Sequence, residues 1–131
     1  MRRFVMSILL LCSAMFANEL RVAQDYKSAV EIAKKENKNI LLMLSQYGCP
    51  ACKYMSGTTL KNEEVKEALV NFVFVEVDIY EGEWNKKFRA FGTPTIYFLD
   101  KNENKIGRNI IGAQEPADFV KLIKQNEGAK K

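Results

Sequence analysis

The chain has 131 residues, enough for one domain, with a formal net charge of +4 and no histidine. The missing imidazole excludes Cys-His proteases, His-ligated metals and haem held by His, and Lys53 after Cys52 excludes a Cys-x-x-Cys-His haem attachment. The charges are near balance and interspersed, so neither nucleic acid nor a polybasic membrane patch is indicated.

Residues 1–17 have the layout of a secretory signal. Arg2 and Arg3 form a basic start, Val5 to Leu11 is mostly apolar, and Ser13, Ala14 and Ala17 are small. The apolar stretch is too short for an ordinary membrane span. Cleavage is expected after Ala17, although Met15 is an unusual residue two positions earlier. An uncleaved anchor is the competing reading. A lipoprotein reading through Cys12 is weakened by the bulky Leu11. Removal of Arg2 and Arg3 leaves 18 of 20 basic residues against 16 acidic ones, a net charge of +2. Cys12 goes as well, so the mature chain, residues 18–131, holds only Cys49 and Cys52.

Asn18 to Gln24 carries no strong signal. Asp25 caps a helix expected to run to about Asn37, with Tyr26, Ala29, Val30 and Ala33 on one face. Ile40 to Ser45 is an apolar run and reads as a central strand covered on both sides. Pro50 suits the first turn of a helix, where its missing N–H costs nothing. That helix should end near Ser56 or Gly57, with an irregular passage at Thr58 and Thr59. Asn62 caps another helix, with Glu63 and Glu64 in its first turn and Val65, Ala68 and Leu69 on its apolar face.

Phe72 to Asp78 is β-branched and aromatic and reads as a second strand. Trp84 to Phe91 is expected to be a short helix with Trp84, Phe88 and Phe91 on one side. Gly92-Thr93-Pro94-Thr95 marks a tight passage into a third strand, Thr95 to Leu99. A polar turn follows, then a fourth strand, Ile106 to Ile111, returning antiparallel. Pro116 opens the last helix, with Phe119, Val120 and Ile123 inward. Residues 128–131 are expected to be a disordered tail. The helical crossover makes the first two strands parallel. The fold class is α/β, a four-stranded mixed sheet with helices on both faces.

Cys49 falls at the strand-to-helix junction, where helix N–H groups and the dipole stabilise a thiolate. Cys52 lies one turn on, so the two can form a disulfide with little rearrangement. One activated cysteine and one placed to resolve it are the minimum for thiol–disulfide exchange. A bridge closing so small a loop constrains the unfolded chain little, which argues against a purely structural role.

The order of elements, with Cys49-Pro50-Ala51-Cys52-Lys53 after the first long strand and Gly92-Thr93-Pro94-Thr95 before a later one, resembles the thioredoxin fold over about residues 26–127. Within that superfamily the chain is similar to exported thioredoxin-related proteins, including the SoxW type and the C-terminal periplasmic domain of the DsbD reductase. Cys-x-Ala-Cys-Lys, Thr59 to Val65 and Pro94 to Asp100 carry this second likeness. The resemblance implies Cys49 as the exposed nucleophile and Cys52 as the resolving thiol. It implies a cis bond before Pro94, packed against the disulfide, and a Thr93 backbone offered to a substrate strand. It also implies an exported protein, in the periplasm.

Three positions depart from the pattern. Met43 stands where thioredoxin has a buried Asp six residues before the nucleophile, so Glu76 or another acid would have to serve. Gly48 replaces a Trp. Thr93 is unlike the Ile or Leu of the reductases and resembles the disulfide-isomerase branch.

The chemistry expected is a two-step exchange. Cys49 thiolate attacks a protein disulfide, and Cys52 then attacks Cys49 and releases reduced substrate. Lys53 and the helix N-terminus favour the thiolate. Pro50 removes one N–H that could contribute, and Ala51 adds no polar group. The substrates are protein thiols or disulfides, and a separate redox partner must recycle the dithiol. No cofactor, metal, nucleic acid or stable membrane association after cleavage is expected. The alternatives are a disulfide oxidase or isomerase, or a non-catalytic binding module such as a metal chaperone. A zinc site would need four ligands, and the mature chain offers two thiols.

Overall fold

The computed structural model describes residues 19–129. The expected signal segment and residues 130 and 131 of the expected tail lie outside the described residues. Ten elements follow in order: β1 (Arg21–Val22), α1 (Tyr26–Glu36), β2 (Asn39–Ser45), α2 (Pro50–Gly57), a 3₁₀ turn (Thr59–Lys61), α3 (Glu63–Ala68), β3 (Phe72–Asp78), β4 (Thr95–Leu99), β5 (Ile110–Ile111) and α4 (Pro116–Gly128). The five strands form one sheet in the order β1-β3-β2-β4-β5. β3 runs parallel to β1 and β2, whereas β4 runs antiparallel to β2 and β5.

The central strand β2 is buried along its whole length, because both its faces are covered. Leu41 and Met43 face one layer with Phe72, Phe74, Ile96 and Phe98, packed on Met55, Val65, Phe119 and Ile123 of the helices. Ile40, Leu42 and Leu44 face the other with Val73, Val75 and Tyr97, packed on Tyr26, Ala29 and Ala33 of α1. Phe98 links the first layer, edge-on to Phe72 at 5.9 Å between ring centres. Each fully buried aliphatic or aromatic side chain contributes about 1.5–3 kcal/mol of transfer free energy, so β2 and β3 anchor the fold.

The helix ends follow their residues. Asp25 accepts the Ser28 amide at 2.7 Å, and Asn37 ends α1 in the left-handed conformation. Asn62 accepts the amides of Glu64 and Val65. Pro50 and Pro116 both sit in the first turn of their helices. Gly128 is the last residue of α4, and Ala129 caps it.

Three expectations are corrected. The sheet has five strands, not four, because Arg21–Val22 pairs with Val73 and Phe74. Two residues are too few to show an alternating pattern. Residues 84–91 form no helix. Side-chain bonds compete for the backbone there: Trp84 Nε1 donates to the Phe88 carbonyl, and the Tyr97 hydroxyl bonds both the amide and the carbonyl of Arg89. Phe88 is buried while Phe91 is exposed. Finally, the last strand is broken. Leu99 bridges Lys105 and the Ile106 amide donates to the Phe98 carbonyl, but regular pairing resumes only at Ile110. Gly107, at φ +65°, turns the chain out against α4, and Asn126 of that helix bonds the Arg108 amide and carbonyl in place of a strand.

Candidate active site

β2 ends at Ser45, and the chain must then turn sharply into α2. Gly48 makes that turn at φ +76°, a conformation open to glycine at no steric cost. The Cys49 amide closes the turn on the Gln46 carbonyl at 3.2 Å. From the neighbouring strand, Asp78 braces the same loop. One carboxylate oxygen accepts the Tyr47 amide at 3.0 Å, and the other accepts the amides of Tyr80 and Glu81 at 2.8 and 3.1 Å. The Tyr80 amide foremost, then those of Glu81 and Tyr47, hold the Asp78 carboxyl below the usual range against the opposing effect of partial burial.

Cys49 is the N-cap of α2, and its Sγ accepts the Cys52 amide at 3.1 Å. A disulfide joins Cys49 to Cys52, with Cα atoms 5.3 Å apart, inside the span such bridges require. The two sulfurs differ in access: Cys49 is half-buried, whereas Cys52 is only 3 % exposed. Cys49 is therefore the more accessible of the pair and Cys52 the more buried.

The second motif reaches the same place from β4. The Thr93–Pro94 peptide bond is cis. The Thr93 carbonyl oxygen lies 3.6 Å from Cys49 Sγ and the Thr93 hydroxyl 3.4 Å from it. Pro94 is buried, and its carbonyl accepts the amide of Gly112, just past β5. Thr95 fixes the loop from within. Its hydroxyl donates to the Gly92 carbonyl at 2.6 Å and accepts the Phe91 amide at 3.0 Å. Thus Cys49, Cys52, Thr93 and Pro94 converge, with Pro50 and the half-buried Ala51 in the first turn between the cysteines. Lys53 lines the cleft beside them.

That cleft, of about 870 Å³, also admits Ser56, Glu76, Asp78 and Glu81. Met43 is buried in the core, and its register partner on β3 is Glu76. The Glu76 carboxylate is exposed and accepts the Ser56 hydroxyl at 3.2 Å. Asp78 and Thr95 were not among the expected site residues. The Asp at a strand end acquires meaning only from the register that brings it to the cysteine loop, whereas the Thr after the proline acts locally, on Gly92 and Phe91. No group of three or more His, Cys, Asp or Glu side chains suited to a metal is present among the described residues. No helix among them is long and apolar enough to cross a membrane.

A family model described as a thioredoxin-like domain matches residues 26–127. The thiol:disulfide interchange protein DsbD of Yersinia pestis is 26% identical over 106 residues, which cover 76% of this chain and 18% of that protein. The chain therefore spans about a fifth of the length of that relative. Among solved structures, a thioredoxin from Thermus thermophilus matches with a TM-score of 0.69 and 26% identity, over 81% of this chain and 85% of that one. The oxidised C-terminal domain of DsbD from Neisseria meningitidis matches in fold with a TM-score of 0.63 at 24% identity, over 79% of this chain and 99% of that one. With its Cys49–Cys52 pair in place, the chain belongs to the thioredoxin-like domain family.

Proposed function

We propose that this protein is a thiol–disulfide oxidoreductase that acts after export, in the periplasm, and reduces disulfides of substrate proteins. Cys49 is the attacking thiolate and Cys52 the resolving thiol. Thr93 and Pro94 form the seat for the substrate chain. The observation that carries the reading is the unequal access of the two sulfurs, beside a Thr93 carbonyl aimed at the open one. An extended substrate segment can pair with that backbone while its disulfide meets Cys49.

Export rests on Arg2, Arg3 and the apolar, small-residue segment that follows. A reducing direction is favoured by the sparse stabilisation of Cys49. Pro50 supplies no N–H, Ala51 supplies no polar group, and the Cys52 amide is the helix donor on the sulfur. A thiolate that is not unusually stable leaves the dithiol a good electron donor. The oxidised pair then needs a separate dithiol donor, and DsbD, an interchange protein by name, indicates the class of partner.

Two measurements test this. Cys52→Ser should accumulate mixed disulfides through Cys49, and a protein that traps none is not an exchange enzyme. Equilibration of the mature protein with defined thiol–disulfide buffers should give a potential near that of thioredoxin, about −270 mV. A potential near about −120 mV would make the protein an oxidant of exported thiols and reject the reducing direction.

A further inference from the structure

Cys49 and Thr93 are 44 residues apart in sequence, one at the start of α2 and the other leading into β4. Thr93 meets Cys49 at Sγ, the atom that changes partner during exchange, so that contact cannot hold helix and loop together through a cycle. A third segment joins them without using the sulfur. It runs from Gly112 to Glu115, between β5 and α4. At one end the Gly112 amide donates to the Pro94 carbonyl at 2.8 Å. Further along, the Gln114 amide donates to Met55 Sδ at 3.3 Å, and the Thr59 hydroxyl donates to the Gln114 carbonyl at 2.6 Å. At the other end the Tyr54 hydroxyl donates to the Glu115 carboxylate at 2.7 Å. Tyr54 and Met55 follow Lys53 in α2, and Thr59 opens the 3₁₀ turn after that helix. Met55 and Thr59 are fully buried, where a hydrogen bond is costly to leave unmade. The bond to Glu115 foremost raises the Tyr54 pKa above its ordinary value, and the Thr59 hydroxyl acts on Tyr54 in the opposite direction. The two hydroxyls therefore belong to one network.

We infer that the segment from Gly112 to Glu115 is a brace that sets the cysteine helix against the Thr93–Pro94 seat, and that Thr59, with Tyr54 as a second tie, is a positioning residue for substrates held along that seat. The inference rests on the exchange reading above and adds what aligns its nucleophile with its seat. Thr59 touches no reacting atom. It acts through the Gln114 carbonyl and, two residues back along the chain, through the bond from Gly112 to Pro94. An extended substrate paired with Thr93 presents its disulfide at a place fixed by β4, whereas the sulfur that attacks it moves with α2. Small displacements between reacting groups lower a rate steeply. Only a substrate held by the seat feels this displacement. A small disulfide that meets Cys49 from solvent adjusts its own position.

The test compares two substrates with one leaving group. The first is a symmetrical chromogenic aryl disulfide. The second is a short extended peptide whose single cysteine is joined to the same aryl thiol. In each, the Cys49 thiolate forms a bond to one sulfur of the disulfide, the S–S bond breaks, and the aryl thiolate leaves with the electron pair. Stopped-flow absorbance reads that first release from reduced protein. Thr59→Val keeps the shape and removes the hydroxyl. It should slow the peptide reaction about tenfold and leave the aryl disulfide reaction unchanged, so the ratio of the two rates falls about tenfold. Thr59→Ser should restore the ratio. Tyr54→Phe loosens the more open end of the brace and should move the ratio the same way by a smaller factor, which decides the matter should Thr59→Val fail to fold. An unchanged ratio in both variants overturns the inference, whether neither rate moves or both fall together. So does a ratio that Thr59→Ser leaves as low as Thr59→Val does. A native protein that releases aryl thiolate from neither substrate instead rejects the exchange reading itself.

Discussion

The Asp78 carboxylate accepts the Tyr47 amide at 3.0 Å, fastening the end of β3 to the loop that delivers Cys49. The same carboxylate gathers the amides of Tyr80 and Glu81, so one side chain holds together two loops that border the cleft. Asp78→Ala should leave the fold intact, because β3 is secured by its apolar residues. It should slow exchange roughly tenfold through a loosened Cys49 loop, the scale expected for small misplacements near a reacting atom. Stopped-flow thiol release measures it, and an unaltered rate would show that Gly48 and the helix cap suffice.

A pH effect follows from the same carboxylate. Its proton affinity is lowered by the three amides, so the stability it contributes is present above its unfolded value of 3.8 and is lost as pH falls through the lower folded value. Between about pH 5 and about pH 2 the native protein should lose more of its urea midpoint than Asp78→Asn, which has no charge to lose. Parallel curves for the two proteins would contradict this.

Most of the fold was legible because its central elements are chemically extreme. β3 and β4 are dense in β-branched and aromatic residues, and their bounds coincide with the expected ones. Pro50, Asn62 and Pro116 each marked a helix start. Residues 84–91 misled because Trp84, Phe88 and Phe91 recur at helical spacing. Their backbone is instead tied by Tyr97, a residue on another element. The motif residues of the site, Cys49, Cys52, Thr93 and Pro94, were legible from local pattern and resemblance. Asp78 was not, because its work depends on strand register, and Thr95 stood in the motif without its local bonds to Gly92 and Phe91 being read. Glu76 was named in the sequence as an acid that could stand in for the missing Asp, but its place opposite Met43 and beside Ser56 shows only in the fold.

Thr93 reaches Cys49 through its side chain as well as its backbone. Its hydroxyl lies 3.4 Å from Cys49 Sγ and, once the disulfide is reduced, can donate to the thiolate. Hydrogen bonds to charged groups are worth about 1.5–3 kcal/mol at good geometry, and one unit of pKa is about 1.4 kcal/mol. For this longer contact to sulfur, Thr93→Ala should raise the Cys49 pKa by about half a unit to one unit. The ultraviolet absorbance of the thiolate, followed against pH, reads the change directly. Thr93→Ser, which keeps the hydroxyl, should restore the native midpoint, and failure to do so would point to packing instead.

Gly107 and Asn126 are coupled. A Cβ at position 107 would run into the Asn126 side chain, and φ there is +65°. Asn126 is buried and bonds the Arg108 amide at 3.0 Å and its carbonyl at 3.4 Å. Asn126→Ala should cost about 1–2 kcal/mol of unfolding free energy by removing both bonds. Gly107→Ala should also destabilise, through the left-handed backbone and the collision. In the double variant the collision is gone, so the two costs should sum to less than the singles predict by about 0.5 kcal/mol or more. Strict additivity in a double-mutant cycle would mean that the chain relieves the contact elsewhere.

The Tyr26 hydroxyl donates to Glu103, pinning α1 to the turn after β4, and Asn85 donates to the same carboxylate oxygen at 3.3 Å. Burial foremost, and then this bond, raise the Tyr26 pKa far above its ordinary value of 10.0. The bond to Tyr26 is in turn the main reason that Glu103 is held below 4.5. The signs differ at the two ends of the pH scale. A raised tyrosine contributes stability that is complete below about pH 10 and is lost as pH rises further. A lowered glutamate contributes stability present above about pH 4.5 and lost as pH falls through its folded value. The pair should therefore stabilise across the whole neutral range and fade at both extremes. Tyr26→Phe should cost about 1–2 kcal/mol near pH 7. The difference from the native protein, measured by urea unfolding, should shrink below about pH 4 and above about pH 10. A difference near zero at all three would show that Tyr26 acts only by filling space against Ala29 and Ala33.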